Sequence, residues 1–336
     1  MEAEVGGGEE GHGTIVLREA DPNIPPPERG IEFRVQTRSD PMSESPTVPS
    51  VESFPPAPVT LRTLRRMRER GEAFACLTCY DATTARWLAR AGVHVLLVGD
   101  TAAEVILGYQ RTIDMPLEVA IALTAGVKRG APHTFVMADM PFMSYQADEA
   151  EAIRNAGRFL TEGLADCVKV EANASFGPLV EKMTRAGVPI CGHVGSRPQT
   201  AALTSGYTSA GRTAQQAERL VADAVAMERA GAVLLLVEAV PNEVARRIIE
   251  ATTAPVIGIG AGPDCHGQVL VLQDLLGLSE QAPRFAEPVA ALGPAFQSAA
   301  AEWVRRVSER RVGGVRYEML PGELERFRSR PARSPE

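Results

Sequence analysis

The chain lacks several signatures, and each absence removes a class of function. No apolar run approaches the ~18 residues that a bilayer-spanning helix needs. The opening MEAEVGGGEEGHG has neither a basic n-region nor an apolar h-region, so no secretory signal is expected. Cysteine is sparse, with Cys76, Cys79, Cys167, Cys191 and Cys265 its five occurrences in 336 residues. An odd count in a chain this long argues against a disulfide framework and for reduced thiols in the cytoplasm. A basic excess is missing too. Residues 1–60 hold 11 acidic and 4 basic side chains, which accounts for the whole formal charge of −7 and leaves the remainder balanced. Neither nucleic acid nor an anionic membrane is therefore expected as a partner. No G-x-G-x-x-G opens a helix after the first strand, which counts against a dinucleotide-binding fold. A Walker-type loop and a G-x-S-x-G elbow are also missing, which counts against phosphate-loop and covalent-nucleophile chemistry.

What is present is a soluble globular mix, 45% hydrophobic and 23% charged, enough for one large domain. Residues 1–58 hold 10 of the 25 prolines and two Gly/Glu-rich stretches. Such a segment buries too little apolar surface to offset its ordering entropy, so it reads as a disordered extension. Met42 begins MSESPTVPSVESF and resembles an alternative start. From Thr60 the character changes. Thr60 can N-cap the helix LRTLRRMRERG, with Gly71 closing it.

Short β-rich apolar runs then recur at 74–81, 93–100, 134–142, 167–172, 188–195, 232–240, 254–262 and 268–274, mostly separated by Ala-rich helical stretches. Continuous apolar strands alternating with helices indicate a parallel sheet covered on both faces. Eight strands in about 215 residues predict an α/β fold of the (β/α)8 TIM-barrel type. The predicted barrel with its C-terminal helix spans 59–325, residues 283–309 read as further helix, and 326–336 as a disordered tail.

The polar residues fall at the ends of these runs: Asp81, then Asp100 and Thr101, Asp139, Lys169 with Glu171, His193, and Glu238. Strand C-termini form the mouth of an α/β barrel, where active sites sit. A single acid there is ordinarily a helix cap or turn residue, but titratable groups on six successive strand ends exceed that explanation. Lys169 and Glu171 share one face of their strand, and a lysine among apolar neighbours needs a counter-charge or an anionic ligand. Asp100, Asp139 and Glu171 come from adjacent strands. Three oxygen donors suit a hard cation such as Mg²⁺, and with only His193 to offer nitrogen a zinc site is disfavoured. Cys76 and Cys79, three apart on a strand, point to opposite faces and make a poor metal or redox pair.

These segments also carry a resemblance. LTCYDATTARWLARAG, VLLVGDTAAEVILGY, VKRGAP, VMADMPFMSY, VKVEA, PICGHVGSRPQ, SGY, LLLVEAVP and PVIGIGAG occur in the order and spacing of ketopantoate hydroxymethyltransferases. The match runs from about residue 60 to 278, with an echo in PRFAEPVAALGPAF. That family belongs to the phosphoenolpyruvate mutase/isocitrate lyase superfamily of α/β barrels. The resemblance implies metal ligation by Asp100, Asp139 and Glu171, and binding of a 2-oxo acid by Asp100, Thr101, Asp139 and Lys169 beside His193. It implies Glu238 as the catalytic base. It further implies Mg²⁺, 5,10-methylenetetrahydrofolate as co-substrate, 3-methyl-2-oxobutanoate as acceptor, 2-dehydropantoate as product on the way to pantothenate, and a cytoplasmic homo-oligomer, commonly a decamer.

Some positions depart from the family pattern. Thr101 replaces a serine, the proline after GYQRT is shifted to Pro116, Ala122 and Leu123 replace a Tyr-His pair, Thr208 replaces a lysine, and His266 replaces an aspartate. On this reading the metal-and-enolate half is intact and the rim on the folate side has drifted. The competing readings are a metal-dependent carbon–carbon lyase or mutase of the superfamily, a paralogue with another acid substrate, and an inactive barrel. Such lyases carry a Lys-Lys-Cys-Gly-His loop, where this chain has Pro189-Ile190-Cys191-Gly192-His193 within a strand run.

Overall fold

The computed structural model describes residues 57–204, 206 and 208–330. The expected N-terminal extension lies outside the described residues up to position 56, as do 331–336 and, within SGY, Ser205 and Tyr207. Helix α1 (Leu61–Arg70) starts and stops as its end residues dictate. Thr60 and Thr63 form a reciprocal capping box, and Gly71 closes the helix at φ 68°, where a side chain would be strained. In chain order there follow β1 (Phe74–Thr78), α2 (Ala82–Arg90), β2 (Val95–Val98), α3 (Ala102–Val105), α4 (Leu117–Gly130), β3 (Phe135–Asp139), α5 (Glu149–Thr161), β4 (Cys167–Glu171), α6 (Gly177–Arg185), β5 (Ile190–Gly195), α7 (Ala214–Arg229), β6 (Leu234–Glu238), α8 (Asn242–Ala251), β7 (Val256–Ile259), β8 (Gly267–Leu270), α9 (Leu272–Leu275), α10 (Leu292–Ser308) and α11 (Glu323–Arg328). The eight strands are all parallel and close in sequence order, β1 through β8 and back to β1, the (β/α)8 barrel that the alternation predicts.

Strand alternation divides the apolar residues into two cores. Phe74, Cys76, Val95, Leu97, Phe135, Met137, Cys167, Cys191, Leu234, Leu236, Ile257 and Val269 fill the barrel, with Leu64 of α1 packed against its lower end. The intervening residues, such as Leu96, Val136, Val168 and Leu235, face the helices. Cys76 and Cys79 fall in different cores, and all five cysteines are buried and unpaired. The outer layer thins around β8. No helix separates β7 from β8 among the described residues, and the outward Ala75 and Gln268 are exposed. Helix α10 buries none of its residues and exposes Phe296, Trp303, Val304 and Val307.

Three expectations need correction. Asp81 is an exposed helix cap, its carboxylate accepting from the N–H groups of Thr83 and Thr84 (2.8 and 2.9 Å), so β1 contributes no acid to the mouth. The stretch 283–309 is helical only from Leu292, because Pro283 and Pro288 interrupt the backbone ladder and Val289 and Leu292 donate instead to Leu275 and Leu276. Residues 326–328, assigned to a disordered tail, belong to α11.

His266 is also displaced from its expected setting. It immediately precedes β8 at the bottom of the barrel, away from the rim. Its Nδ1 accepts from the Val256 N–H (3.0 Å), and His94 does the same for Ala75 (3.2 Å). Accepting requires neutral rings, and burial pushes both pKa values down. This contribution is therefore present above the ordinary histidine pKa of about 6.5 and is lost as pH falls toward the lower folded value. His266→Asp, which keeps an acceptor in acid, should flatten the fall of Tm between pH 7 and 5.5. Thermal melts with the same slope in both proteins would reject the assignment.

Candidate active site at the mouth of the barrel

Register brings the polar residues together. Asp139 pairs with Lys169, Glu171 with His193, and Gly195 with Glu238. Asp139, Lys169, Glu171, His193 and Glu238 consequently lie side by side on the inner face of β3 to β6. Asp100 and Thr101 join them from the turn after β2. Gly195 lets β5 and β6 pair to their ends. A Cβ there would overlap the Glu238 carbonyl oxygen, and its φ of 104° would strain any side chain. Ala239, directly after Glu238, takes a left-handed φ of 50°, held by its N–H to Ile259 and its carbonyl to Ala210 (both 2.9 Å). Backbone outliers of this kind persist where surrounding contacts over-determine them.

The contacts form a continuous polar layer. Lys169 Nζ lies 3.0 Å from Asp139 Oδ1 and 3.3 Å from His193 Nδ1. The ammonium can only donate, so His193 Nδ1 accepts and the ring proton sits on Nε2, 3.3 Å from Glu238 Oε2. His193 Nδ1 is 3.9 Å from Glu171 Oε1. Asp139 Oδ2 accepts from the Asp100 N–H (3.1 Å), and Thr101 Oγ1 lies 2.6 Å from the Tyr80 hydroxyl. Asp100, Asp139, Lys169, Glu171 and His193 are each at most 6% exposed. Glu238 is partly open to the cavity.

Burial raises the Asp100 carboxyl to about 7, helped by Asp139 and opposed by Lys169. Glu238 is likewise pushed up to about 7 by burial against the pull of Lys169. Glu171 is raised well above the carboxylate range by burial and by Asp100. Burial alone would discharge Lys169, but Asp139, Asp100 and Glu171 outweigh it and hold the ammonium above its ordinary pKa. Burial and the neighbouring Lys169 keep His193 neutral. Four acids thus share one buried lysine, an excess of negative charge that an added cation would relieve. Among the described residues no three acids or histidines already converge as a metal set. Asp100 Oδ2, Glu171 Oε2 and Asp139 are engaged by Gln199 and Lys169 instead. A Mg²⁺ site needs only one or two protein carboxylates, completed by water and substrate oxygens, so the residues present suit that ion.

The layer floors a cavity of about 1190 Å³, whose walls include Thr208 and Ser209 on one side and Gln281 to Phe285 on another. Of Ala122, Leu123, Thr208 and His266, the departures expected to alter its rim, only Thr208 lines it. Ala122 and Leu123 sit on α4, exposed and packed on the outer core respectively. Sequence reasoning missed Gln199, Tyr145 and Tyr80, buried polar residues that bond to the acids or to Thr101. Tyr80, beside the first strand end, had a positional signal. Gln199 and Tyr145 close the family segments PICGHVGSRPQ and VMADMPFMSY, but being neutral and beyond the strand ends they had no charge or strand-end position to single them out.

Comparison with known proteins gives the family and the fold. The family model for ketopantoate hydroxymethyltransferase matches residues 58–313. A 3-methyl-2-oxobutanoate hydroxymethyltransferase of Heliobacterium modesticaldum is 42% identical, over 75% of this chain and 91% of that protein. The enzyme of that name from Mycobacterium marinum is 41% identical, over 84% and 94%. In fold the chain is similar to phosphoenolpyruvate phosphomutase of Streptomyces platensis (TM-score 0.53, 12% identity, 80% and 97% coverage) and to 2,3-dimethylmalate lyase (0.50, 20%, 82% and 96%). Both the match over most of the barrel and the identity of these relatives make this chain a member of the ketopantoate hydroxymethyltransferase family.

Proposed function

We propose that this chain transfers a one-carbon unit from 5,10-methylenetetrahydrofolate to 3-methyl-2-oxobutanoate, making 2-dehydropantoate for pantothenate synthesis. The observation that carries the reading is the juxtaposition in one cavity of a lysine cation, clustered carboxylates and Glu238, whose pKa burial pushes up to about 7. The names of relatives more than 40% identical supply the substrate class.

Asp100 and Asp139, with Glu171 as the third acid, are the candidate holders of a divalent cation such as Mg²⁺. When bound, that ion supplies Lewis acidity for enolising a 2-oxo acid. The protein's own residues do the rest. Lys169 offsets the charge of the substrate carboxylate, and Thr101 and His193 flank the bound acid. Glu238 accepts the proton from C3 as that C–H bond breaks. The freed electron pair forms the new C–C bond to the donor's methylene carbon as one of its two C–N bonds breaks. Water supplies the hydroxyl as the second C–N bond breaks, and the C3 proton and one water proton leave on the two nitrogens of tetrahydrofolate. The cavity, about 1190 Å³, exceeds what a five-carbon acid fills and lies above the ~300–1,000 Å³ usual for a small-ligand pocket, which supports a bulky co-substrate beside the acid. The exposed apolar side chains of α10 support a homo-oligomer, and five buried thiols suit a reducing compartment such as the cytoplasm.

The decisive assay combines the protein with Mg²⁺, 3-methyl-2-oxobutanoate and methylenetetrahydrofolate. We expect 2-dehydropantoate, and exchange of the C3 proton into deuterated water without the folate. Exchange should rise with pH through about 7, because Glu238 must be ionised to accept a proton. Exchange without product would reject the donor or the acid. Neither exchange nor product would reject the enolate chemistry itself.

A further inference from the structure

One residue ties together three strand ends at the mouth. Gln199 sits in a 3-10 segment (Pro198–Thr204) following β5 and is 5% exposed. Its Nε2 donates to Asp100 Oδ2 (3.0 Å) and to the carbonyl of Met140, just past β3 (2.9 Å). Its backbone N–H donates to Glu171 Oε2 on β4 (3.0 Å). On the other side its Oε1 accepts from the Tyr145 hydroxyl and from Gln146 Nε2, both at 2.9 Å. The Tyr145 hydroxyl accepts in turn from the Glu171 N–H (3.1 Å). Two acceptors face one end of the amide and two donors the other, so its orientation is determined by the network.

We propose that Gln199 is a positioning residue for the divalent cation: its side chain holds the Asp100 carboxylate and its main chain holds that of Glu171. The proposal rests on the metal reading of Asp100, Asp139 and Glu171 above. Like charges this close repel, and carboxylates free to rotate would separate. A neutral amide can restrain them without adding charge or competing for the ion. Hydrogen bonds from outside the ligand set commonly perform this task, and removing one typically weakens metal affinity about 10–100-fold. Gln199 donates with two different groups, so the roles separate. A side-chain substitution frees Asp100 while leaving the N–H to Glu171 in place.

The test uses the full-length protein and Mn²⁺ as probe, with affinity read by electron paramagnetic resonance in the absence of substrate. Gln199→Met keeps the length of the side chain and removes its donors. We expect Mn²⁺ affinity to fall about 10–100-fold, with activity lost at limiting metal and recovered at saturating metal. Tyr145→Phe, which removes one donor to the amide oxygen, should produce a smaller shift in the same direction, and it carries the test if the methionine variant does not fold. Unchanged Mn²⁺ affinity in folded variants overturns the role of Gln199 alone. A lowered kcat that saturating metal does not restore also overturns it, since that marks a general structural defect. A parent protein that binds no Mn²⁺ overturns both this proposal and the metal reading beneath it.

Discussion

Glu238→Gln is expected to lower C3 proton exchange and product formation about 10²–10⁴-fold, the usual contribution of a positioned general base. The amide is nearly isosteric but cannot take the proton. The substitution also removes one of four acids crowded around Lys169, so stability should hold or rise slightly. Metal affinity should stay close to that of the parent, because the near contact of Glu238 is with His193 and its effect on Asp100 and Glu171 is through space and minor beside burial. Exchange measured by proton NMR in deuterated water and Mn²⁺ binding measured separately give the two halves of the result. Retained exchange would move the base elsewhere. Lost metal binding would transfer Glu238 to the ligand set.

Lys169→Met should have the largest effect on stability. Its buried ammonium lies against Asp139 and His193, and Asp100 and Glu171 also act on it. Removing one partner of a buried ionic cluster leaves the others uncompensated, which typically costs about 3–5 kcal/mol. The sign of the pH dependence follows. Burial already raises Asp100 and Glu171 above their unfolded values, and losing the lysine raises them further. Acids with raised folded pKa values destabilise the fold as pH rises through those values. The variant should therefore lose more stability at pH 8 than at pH 6, measured by urea unfolding at both. An equal loss at the two pH values would mean that packing of the lysine stem, and not its charge, sets the effect.

Much of this was legible in advance because of local rules. Capping chemistry marked α1, with Thr60 and Gly71 at its ends. The eight apolar runs located the eight strands, and the fixed two-residue period assigned Lys169 and Glu171 to one face and separated Cys76 from Cys79. The same proximity to a strand end misled at Asp81, where the side chain serves the next helix. It also hid the location of His266, since a residue number says nothing about which end of the barrel a loop occupies. Ala122 and Leu123 departed from the family pattern without touching the cavity at all.

Sequence alone determined the barrel, the family resemblance and the set of titratable groups at its mouth, because periodicity and strand ends are properties of neighbouring residues. Tertiary structure decided the electrical state of that set. Only closure of the barrel brings Asp100, Asp139, Glu171 and Glu238 around one lysine and removes water from them, and that burial raises the pKa values of Asp100, Glu171 and Glu238. It also brought in Gln199 and Tyr145, whose part depends on the distance to groups 28 to 99 and 26 to 54 positions away in the chain. A hydrogen bond acts over about 3 Å, and no pattern of adjacent residues encodes which distant segments will meet at that range.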